Sequence, residues 1–435
     1  MRAPNREKAV LVGVASRACP RGAVEEHLDE LERLVDTAGA QVVGRFLKER
    51  PSPDPATYVG KGSAEEIGAA ARSLGADLVV FDDELTPGQV RNLEESWGGG
   101  IRALDRPGVI LDVFASHART REARTQVELA QLQYLLPRLA GRYGHLSRPG
   151  GGIGGRGPGE QKLEVDRRKI RKRIARLRDD LSRIEKSRAV RRRGRRGLFQ
   201  AAIAGYTNAG KTTLFNRLTR ESAYTADRLF ATLDARVARA SSGKLPQVLF
   251  IDTVGFVRKL PPALVASFRS TLAEIREADL VLHAVDVSST RAEEERRIAL
   301  DVLDELGVQQ ERILTVWTKR DLLEGRGQSG GAGSQRWGSA GLFVSALTGA
   351  GLKELEEEIR RRVAPRGERF LLRIPYADGR SIAAARAAFR VLEQKHSGDT
   401  LLLRLEGERQ AAPSLLPYLE EEAAGERPRR RAARK

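Results

Sequence analysis

The chain contains very little sulfur and few aromatic residues. Of its 435 residues, one is cysteine, one is methionine and 5% are aromatic. A lone cysteine, Cys19, excludes an intramolecular disulfide and a metal site built from several cysteines. No apolar run approaches the roughly eighteen residues needed to span a bilayer, and the N-terminus has no secretory segment. We therefore expect a soluble, cytoplasmic protein without a membrane span.

Acidic residues are also in deficit. The chain has 58 acidic residues against 76 Lys and Arg, which gives a formal net charge of +18. Such an excess favours a polyanionic partner, although the charge-rich surface of a thermophilic protein has part of the same composition. The length exceeds that of a single domain, so two or three domains are expected.

What the sequence does contain is a phosphate-binding loop, GYTNAGKTT, at residues 205–213. It follows an apolar run and precedes a helical pattern, so its backbone N–H groups can point at a phosphate at the helix N-terminus. Lys211 can reach the terminal phosphates, and the Thr212 hydroxyl can bind the bridging magnesium. The predicted nucleotide contacts of this loop are Gly205, Tyr206, Thr207, Asn208, Ala209, Gly210, Lys211, Thr212 and Thr213.

Two segments downstream of the loop are typical of GTPase switches. DTVGF at residues 252–256 follows an apolar run, so Asp252 can hold magnesium through water and the Gly255 N–H can meet a γ-phosphate oxygen. FATLD at residues 230–234 offers Thr232 as a hydroxyl that binds magnesium in the GTP state. The predicted contacts are Phe230, Ala231, Thr232, Asp252, Thr253, Val254 and Gly255.

Two later segments indicate that the base is guanine. TKRD at residues 318–321 ends a predicted strand, and Asp321 can accept both the ring N–H and the exocyclic amine of guanine. Adenine offers no such pair of donors, so a buried Asp321 would be left unpaired against it. VSAL at residues 344–347 can bind the guanine carbonyl through the backbone of Ala346. The predicted contacts are Thr318, Lys319, Asp321, Ser345, Ala346 and Leu347.

The residues around the γ-phosphate predict slow hydrolysis. Catalysis is assigned to Lys211, Gly255 and Thr232. Many GTPases place a water-orienting Gln after the DTVG glycine, whereas this chain has Phe256 there, which cannot orient water. Asn208 stands where some GTPases use Asn to hold a potassium ion beside the phosphates. It can equally satisfy a local turn, so both interpretations stay open.

Four regions are predicted, giving a multidomain α/β protein. Residues 1–116 read as an α/β domain, residues 117–196 as a basic antiparallel helical hairpin with a Gly-rich loop at 138–159, and residues 197–365 as a P-loop GTPase domain with a mostly parallel sheet and helices on both faces. Residues 366–435 read as a small α+β domain with a basic tail, its helix spanning residues 381–394. No role is assigned to the Gly/Ser-rich insertion 325–339.

The hairpin, residues 60–62 and the pair Asp82 and Asp83 are three further candidates for ligand binding. One helix face of the hairpin is basic, which favours contact with nucleic-acid phosphates over a merely solvated face, and Tyr143 and His145 in the loop can stack on bases. GKG at residues 60–62 is better read as a turn before a helix than as an anion site. Asp82 and Asp83 are better read as a solvated turn than as metal ligands. The basic residues are Arg167, Arg168, Lys169, Arg171, Lys172, Arg173, Arg176, Arg178 and the run RRRGRR at residues 191–196.

These stretches closely resemble the HflX family of ribosome-associated GTPases, up to about residue 407. The resemblance is carried by FDDELTPGQVRNLE at residue 81, by SRPGGGIGGRGPGEQKLEVDRRKIRKRI at residue 147 and by DTVGFVRKLP at residue 252. Departures include Gly155 where Thr is usual and Thr318 where Asn is usual.

The resemblance implies a magnesium-dependent, GTP-dependent factor, expected to be a monomer. It implies binding to the large ribosomal subunit and its ribosomal RNA, with the hairpin reaching toward the peptidyl-transferase region, and dissociation of stalled or idle ribosomes. Two other classes remain: an ATP-driven RNA remodelling enzyme, which Asp321 disfavours, and a nucleotide-regulated scaffold.

Overall fold

The computed structural model describes residues 6–142, 158–193, 198–221, 230, 235–242, 245, 248–259, 269–324, 341–363, 368–407 and 412–420. The chain forms two compact units, Met1–Leu355 and Glu356–Lys435. Within the described ranges, no helix combines the length and the apolar character needed to cross a bilayer.

The N-terminal domain is a four-stranded parallel sheet in the order β2-β1-β3-β4. The apolar run of β1 is buried on both faces, since Leu11 packs in one hydrophobic cluster and Val10 in another. Helices cover both faces, as a parallel sheet requires. The strands are β1 (Lys8–Ala15), β2 (Gln41–Glu49), β3 (Leu78–Phe81) and β4 (Arg102–Asp105), and the helices are α1 (Arg21–Ala38), α2 (Lys61–Ser73), α3 (Pro87–Ser96) and α4 (Arg106–His117).

The helical hairpin consists of α5 (Arg121–Arg142) and α6 (Pro158–Arg193). An apolar seam of Leu129, Ile174 and Leu177 holds the two helices together. The loop predicted at 138–159 is shorter at both ends, because α5 continues past Pro137 to Arg142 and α6 already begins at Pro158. Arg138 fixes this extra turn by bonding Asp105 and the Leu85 carbonyl, each at 2.8 Å. Tyr143, His145 and Gly155 lie outside the described residues.

The GTPase domain has a six-stranded sheet in the order β10-β9-β8-β5-β7-β6, in which only the β6–β7 pair of the described strands is antiparallel. This confirms the predicted, mostly parallel sheet. The strands are β5 (Phe199–Gly205), β6 (Arg236–Arg239), β7 (Val248–Asp252), β8 (Leu280–Asp286), β9 (Ile313–Thr318) and β10 (Leu342–Phe343). The helices are α7 (Lys211–Thr219), α8 (Arg269–Glu277), α9 (Ala292–Glu305), α10 (Asp321–Glu324) and α11 (Leu352–Val363), with a 3-10 turn at Gln310–Arg312.

The second unit contains an antiparallel sheet in the order β12-β13-β11-β14. The helix predicted at 381–394 is wrong in its second half. It ends at Ala388, because the following residues pair as β12 with β13 across a tight turn at Gly398, whose φ is 57°. The elements are β11 (Glu368–Pro375), α12 (Gly379–Ala388), β12 (Arg390–Ser397), β13 (Thr400–Gly407), a 3-10 turn (Pro413–Tyr418) and β14 (Leu419–Glu420).

A candidate nucleotide-binding site

The predicted phosphate loop lies between the end of β5 and the start of α7. Gly205 occupies a position that only glycine can fill, because a Cβ there would lie 2.2 Å from the Ala284 carbonyl oxygen of the neighbouring strand β8. Gly210 has a φ of 76° immediately before α7. The strand, loop and helix therefore stand in the order that a phosphate cradle requires.

Lys211 is a buried cation at the base of this loop. Its Nζ donates a hydrogen bond to the Tyr206 carbonyl oxygen at 2.6 Å. Burial lowers the pKa of Lys211 to about 8; nearby Asp252 opposes this shift, and Lys319 adds to it. A buried ammonium whose charge is disfavoured gains most from an anion beside it, so the site suits a phosphate.

Thr212 and Asp252 supply oxygen ligands next to Lys211. The Thr212 hydroxyl donates to Asp252 Oδ2 at 2.9 Å, which joins the first turn of α7 to the end of β7. A hydroxyl and a carboxylate at this spacing fit the oxygen preference of magnesium, which GTPases generally bind with their nucleotide. Thr232, the third predicted magnesium ligand, lies outside the described residues, as does Ala231.

The DTVGF segment lies directly against the phosphate loop. The Phe256 N–H donates to the Gly205 carbonyl at 2.9 Å, and the Thr207 N–H donates to the Phe256 carbonyl at 2.7 Å. A Cβ on Gly255 would come within 2.9 Å of both Lys211 Nζ and Thr207 Cα. The structure thus brings Lys211 and Gly255, two of the three residues assigned to catalysis, close together. The Phe256 side chain is buried and has no group that could orient water.

Phe230, predicted as a nucleotide contact, packs against the N-terminal domain. Its ring meets that of Phe114 on α4 edge to face, with centroids 4.5 Å apart. Asn208 is exposed and has a φ of 61°, a left-handed conformation that Asn tolerates well. This conformation fits the interpretation of Asn208 as a turn residue and is compatible with an ion ligand.

The guanine-side residues are held by partners that the sequence did not reveal. Asp321 accepts a hydrogen bond from Ser345 Oγ at 2.5 Å, which orients the carboxylate. Lys319 Nζ is paired with Asp286 Oδ2 at 2.8 Å. Asp286 was missed, although an acidic residue at the end of β8, next to β9, is a detectable signal. Ala346 is half-buried and Leu347 is 78% exposed.

Thr318 connects the segment predicted to bind guanine to the phosphate loop. Its Oγ1 lies 2.8 Å from the Ala209 carbonyl oxygen in the phosphate loop and 3.0 Å from that of Val285 on β8. Thr253 makes a similar internal contact, donating from Oγ1 to the Ile203 carbonyl at 2.7 Å. The hydroxyls of Thr318 and Thr253 therefore form hydrogen bonds with backbone carbonyl oxygens around the site.

The interpretation of Asp82 and Asp83 as a solvated turn is wrong. Asp82 is only 2% exposed and forms ion pairs with Arg106 and with Lys259 Nζ at 2.5 Å, and its Oδ2 lies 3.3 Å from His27 Nδ1. Burial alone would raise the pKa of Asp82, but His27, Arg106 and Lys259 together hold it well below the usual range. These partners are remote in sequence, so the pattern around residue 82 could not reveal them.

Fold and site together define a P-loop GTPase. Sequence profiles agree: one described as GTP-binding GTPase N-terminal matches residues 25–115, one described as GTP-binding GTPase Middle Region matches 117–195, and one described as 50S ribosome-binding GTPase matches 200–319.

Relatives named GTPase HflX cover most of the chain. The protein of Caldanaerobacter subterraneus is 43% identical over 90% of this chain and 89% of its own length. That of Magnetococcus marinus is 41% identical over 97% and 96%, and that of Escherichia coli 42% over 82% and 83%. The chain belongs to the HflX family of GTPases, and it hydrolyses GTP.

Proposed function

We propose that this GTPase binds the large ribosomal subunit in its GTP state and dissociates stalled or idle ribosomes. The profile described as 50S ribosome-binding GTPase supports a ribosomal partner. The chain's own support is the basic face of α6. Arg168, Lys169, Arg171 and Lys172 are exposed there, whereas Arg173 turns toward α5 and pairs with Glu128 at 2.7 Å.

This basic face has the chemistry of an RNA-phosphate contact. Exposed guanidinium and ammonium groups of one sign along a helix attract a polyanion and release its counterions on binding. The face belongs to the same compact unit as the nucleotide site, so a conformational change at the site can alter how it is presented. Ribosomal RNA is the polyanion that we assign to it.

The proposed GTP cycle uses the predicted contacts around the nucleotide. Thr212, Thr232 and Asp252 would hold magnesium, and Lys211 and the Gly255 N–H would bind the γ-phosphate. Asp321, oriented by Ser345, reads guanine, and Lys319, anchored by Asp286, lies along the base. Hydrolysis releases Gly255 from the γ-phosphate and Thr232 from magnesium, and it lowers affinity for the ribosome.

Hydrolysis is proposed to be slow in isolation and stimulated by the ribosome. The supporting observation is Phe256, whose buried aromatic side chain cannot position the attacking water. A partner or an ion must therefore supply that function. Asn208 can contribute by holding potassium beside the phosphates.

Steady-state GTP turnover tests this function directly. Saturating large ribosomal subunits should raise turnover by about two orders of magnitude, the usual effect of adding one transition-state stabiliser, whereas small subunits should not. Replacing potassium with sodium should lower turnover if Asn208 binds the ion. Turnover unchanged by large subunits would contradict ribosomal stimulation, and ATP binding as tight as GTP binding would favour the RNA-remodelling alternative.

A further inference from the structure

A group of mostly buried charged and polar side chains connects the N-terminal domain to the nucleotide site. We call them the interdomain network. Arg106 is fully buried, and Lys259 is its most exposed member, with 34% of its side chain accessible. The members from the N-terminal domain are Glu30, Asp82 and Arg106, and those from the GTPase domain are Tyr206, Arg258 and Lys259.

Tyr206 links the network to the phosphate loop. Its hydroxyl donates to Glu30 Oε1 at 2.6 Å and accepts the Arg258 N–H at 2.8 Å. Its carbonyl oxygen, in the same residue, accepts the hydrogen bond of Lys211 Nζ at 2.6 Å. One residue of the phosphate loop therefore contacts the catalytic lysine, the N-terminal domain and the chain just after DTVGF.

Glu30 is also anchored from its other side. Its Oε2 forms an ion pair with Arg106 Nη2 at 2.8 Å and lies 3.9 Å from Arg258 Nε. The buried Arg258 guanidinium also pairs with Glu294 at 3.0 Å. A buried carboxylate between two guanidinium groups has little freedom to move, because losing either partner leaves an uncompensated charge. The backbone at Arg258 is consequently fixed relative to α1.

Lys259 provides the second attachment of this segment. Its Nζ lies between Asp82, at 2.5 Å, and Asp83. Its backbone has a φ of 54°, a left-handed conformation that is unfavourable for a residue with a Cβ. The ion pairs with the two aspartates offset that cost, so they help to define the backbone conformation that follows DTVGF.

We propose that Glu30 and Asp82 of the N-terminal domain are positioning residues for the γ-phosphate contact of Gly255. They hold Arg258 and Lys259, and thereby keep the DTVGF segment against the phosphate loop. This inference rests on the proposed contact between Gly255 and the γ-phosphate. Because GDP has no γ-phosphate, the network favours GTP over GDP. By linkage, a partner that displaces the N-terminal domain and so changes this preference binds the GTP and GDP forms with affinities that differ by the same factor.

The test compares two substitutions in the full chain, each of which removes one cation that bridges the two domains. Lys259→Ala breaks the network. Arg291→Ala is the control, because Arg291 Nη1 bonds the Glu26 carbonyl at 2.8 Å and lies outside the network. Affinities for GDP and for a non-hydrolysable GTP analogue are measured by fluorescence titration. We expect K259A to weaken analogue binding about five- to tenfold relative to GDP, and R291A to keep the wild-type ratio.

A charge exchange separates positioning from simple damage. Lys259→Glu should lower the ratio of analogue affinity to GDP affinity further than K259A does. Adding Asp83→Lys should restore this ratio, because Glu at position 259 and Lys at position 83 can form an ion pair beside Asp82. An unchanged ratio in K259A, an equal loss for both nucleotides or tighter analogue binding would each overturn the positioning role while leaving the GTPase function intact. Failure of the wild-type chain to bind either nucleotide would overturn both proposals.

Discussion

Thr318 offers a sharp test of how the two halves of the nucleotide site are joined. Its side chain is 2% exposed, and its hydroxyl lies within hydrogen-bond distance of the Ala209 and Val285 carbonyl oxygens. Ala209 belongs to the phosphate loop, whereas Thr318 begins the segment predicted to bind guanine. The hydroxyl thus joins the phosphate loop to the end of β9, which leads into that segment.

Thr318→Val removes the hydroxyl at almost constant volume. Two buried carbonyl oxygens then lose their shared donor, at a cost of about 1–2 kcal/mol. If the bond holds the loop in its binding conformation, this cost appears as a loss of nucleotide affinity of about five- to thirtyfold. GDP and a GTP analogue should be affected equally, since both use the phosphate loop.

Fluorescence titration of both nucleotides measures this effect, alongside denaturant unfolding to follow stability. Thr315→Val, on the same strand and at a half-buried position, is the matched control and should bind normally. Thr318→Asn restores the residue usual at this place and should bind at least as tightly as the wild type. Wild-type affinity in T318V, with only its stability reduced, would refute the role of Thr318 in holding the loop.

Two further predictions concern titratable groups buried near the site. Burial lowers the pKa of Lys211 to about 8, so its ammonium loses its proton between pH 7 and pH 8.5. GDP affinity, measured by isothermal calorimetry, should therefore fall about fourfold over this range. The GDP affinity of Lys211→Arg should not change with pH in this way. His283 is fully buried, and burial, with Arg296 and Lys211 nearby, lowers its pKa to about 3. Protonation therefore favours the unfolded chain below pH 6.5, so His283→Leu should reduce the stability lost between pH 7 and pH 5 by about 2 kcal/mol in denaturant titrations; an unchanged loss would contradict a neutral His283.

Local sequence was sufficient for the parts of the site that depend on local geometry. The glycines at 205 and 210 and the lysine at 211 define a loop conformation by themselves, and parallel strands bring Asp252 to the same sheet edge as Thr212. For the same reason, the alternating apolar runs predicted an α/β N-terminal domain and the mostly parallel sheet of the GTPase domain.

Contacts between distant segments escaped prediction. Asp82 and Lys259 are 177 residues apart, and nothing in either neighbourhood indicates the other. Asp286 and Ser345 act on Lys319 and Asp321 only because β8, β9 and β10 lie side by side. In the second unit, residues 390–394 have helical character, but their pairing with β13 overrides local preference.

Co-sedimentation with large ribosomal subunits tests the central proposal most directly. The full chain is incubated with purified large subunits and either GDP or a non-hydrolysable GTP analogue, and the pelleted fraction is compared at two salt concentrations. We expect the chain to pellet with the analogue, to remain largely in the supernatant with GDP, and to bind less tightly at higher salt. Equal pelleting with both nucleotides, or none with either, would contradict a GTP-controlled ribosome-binding factor.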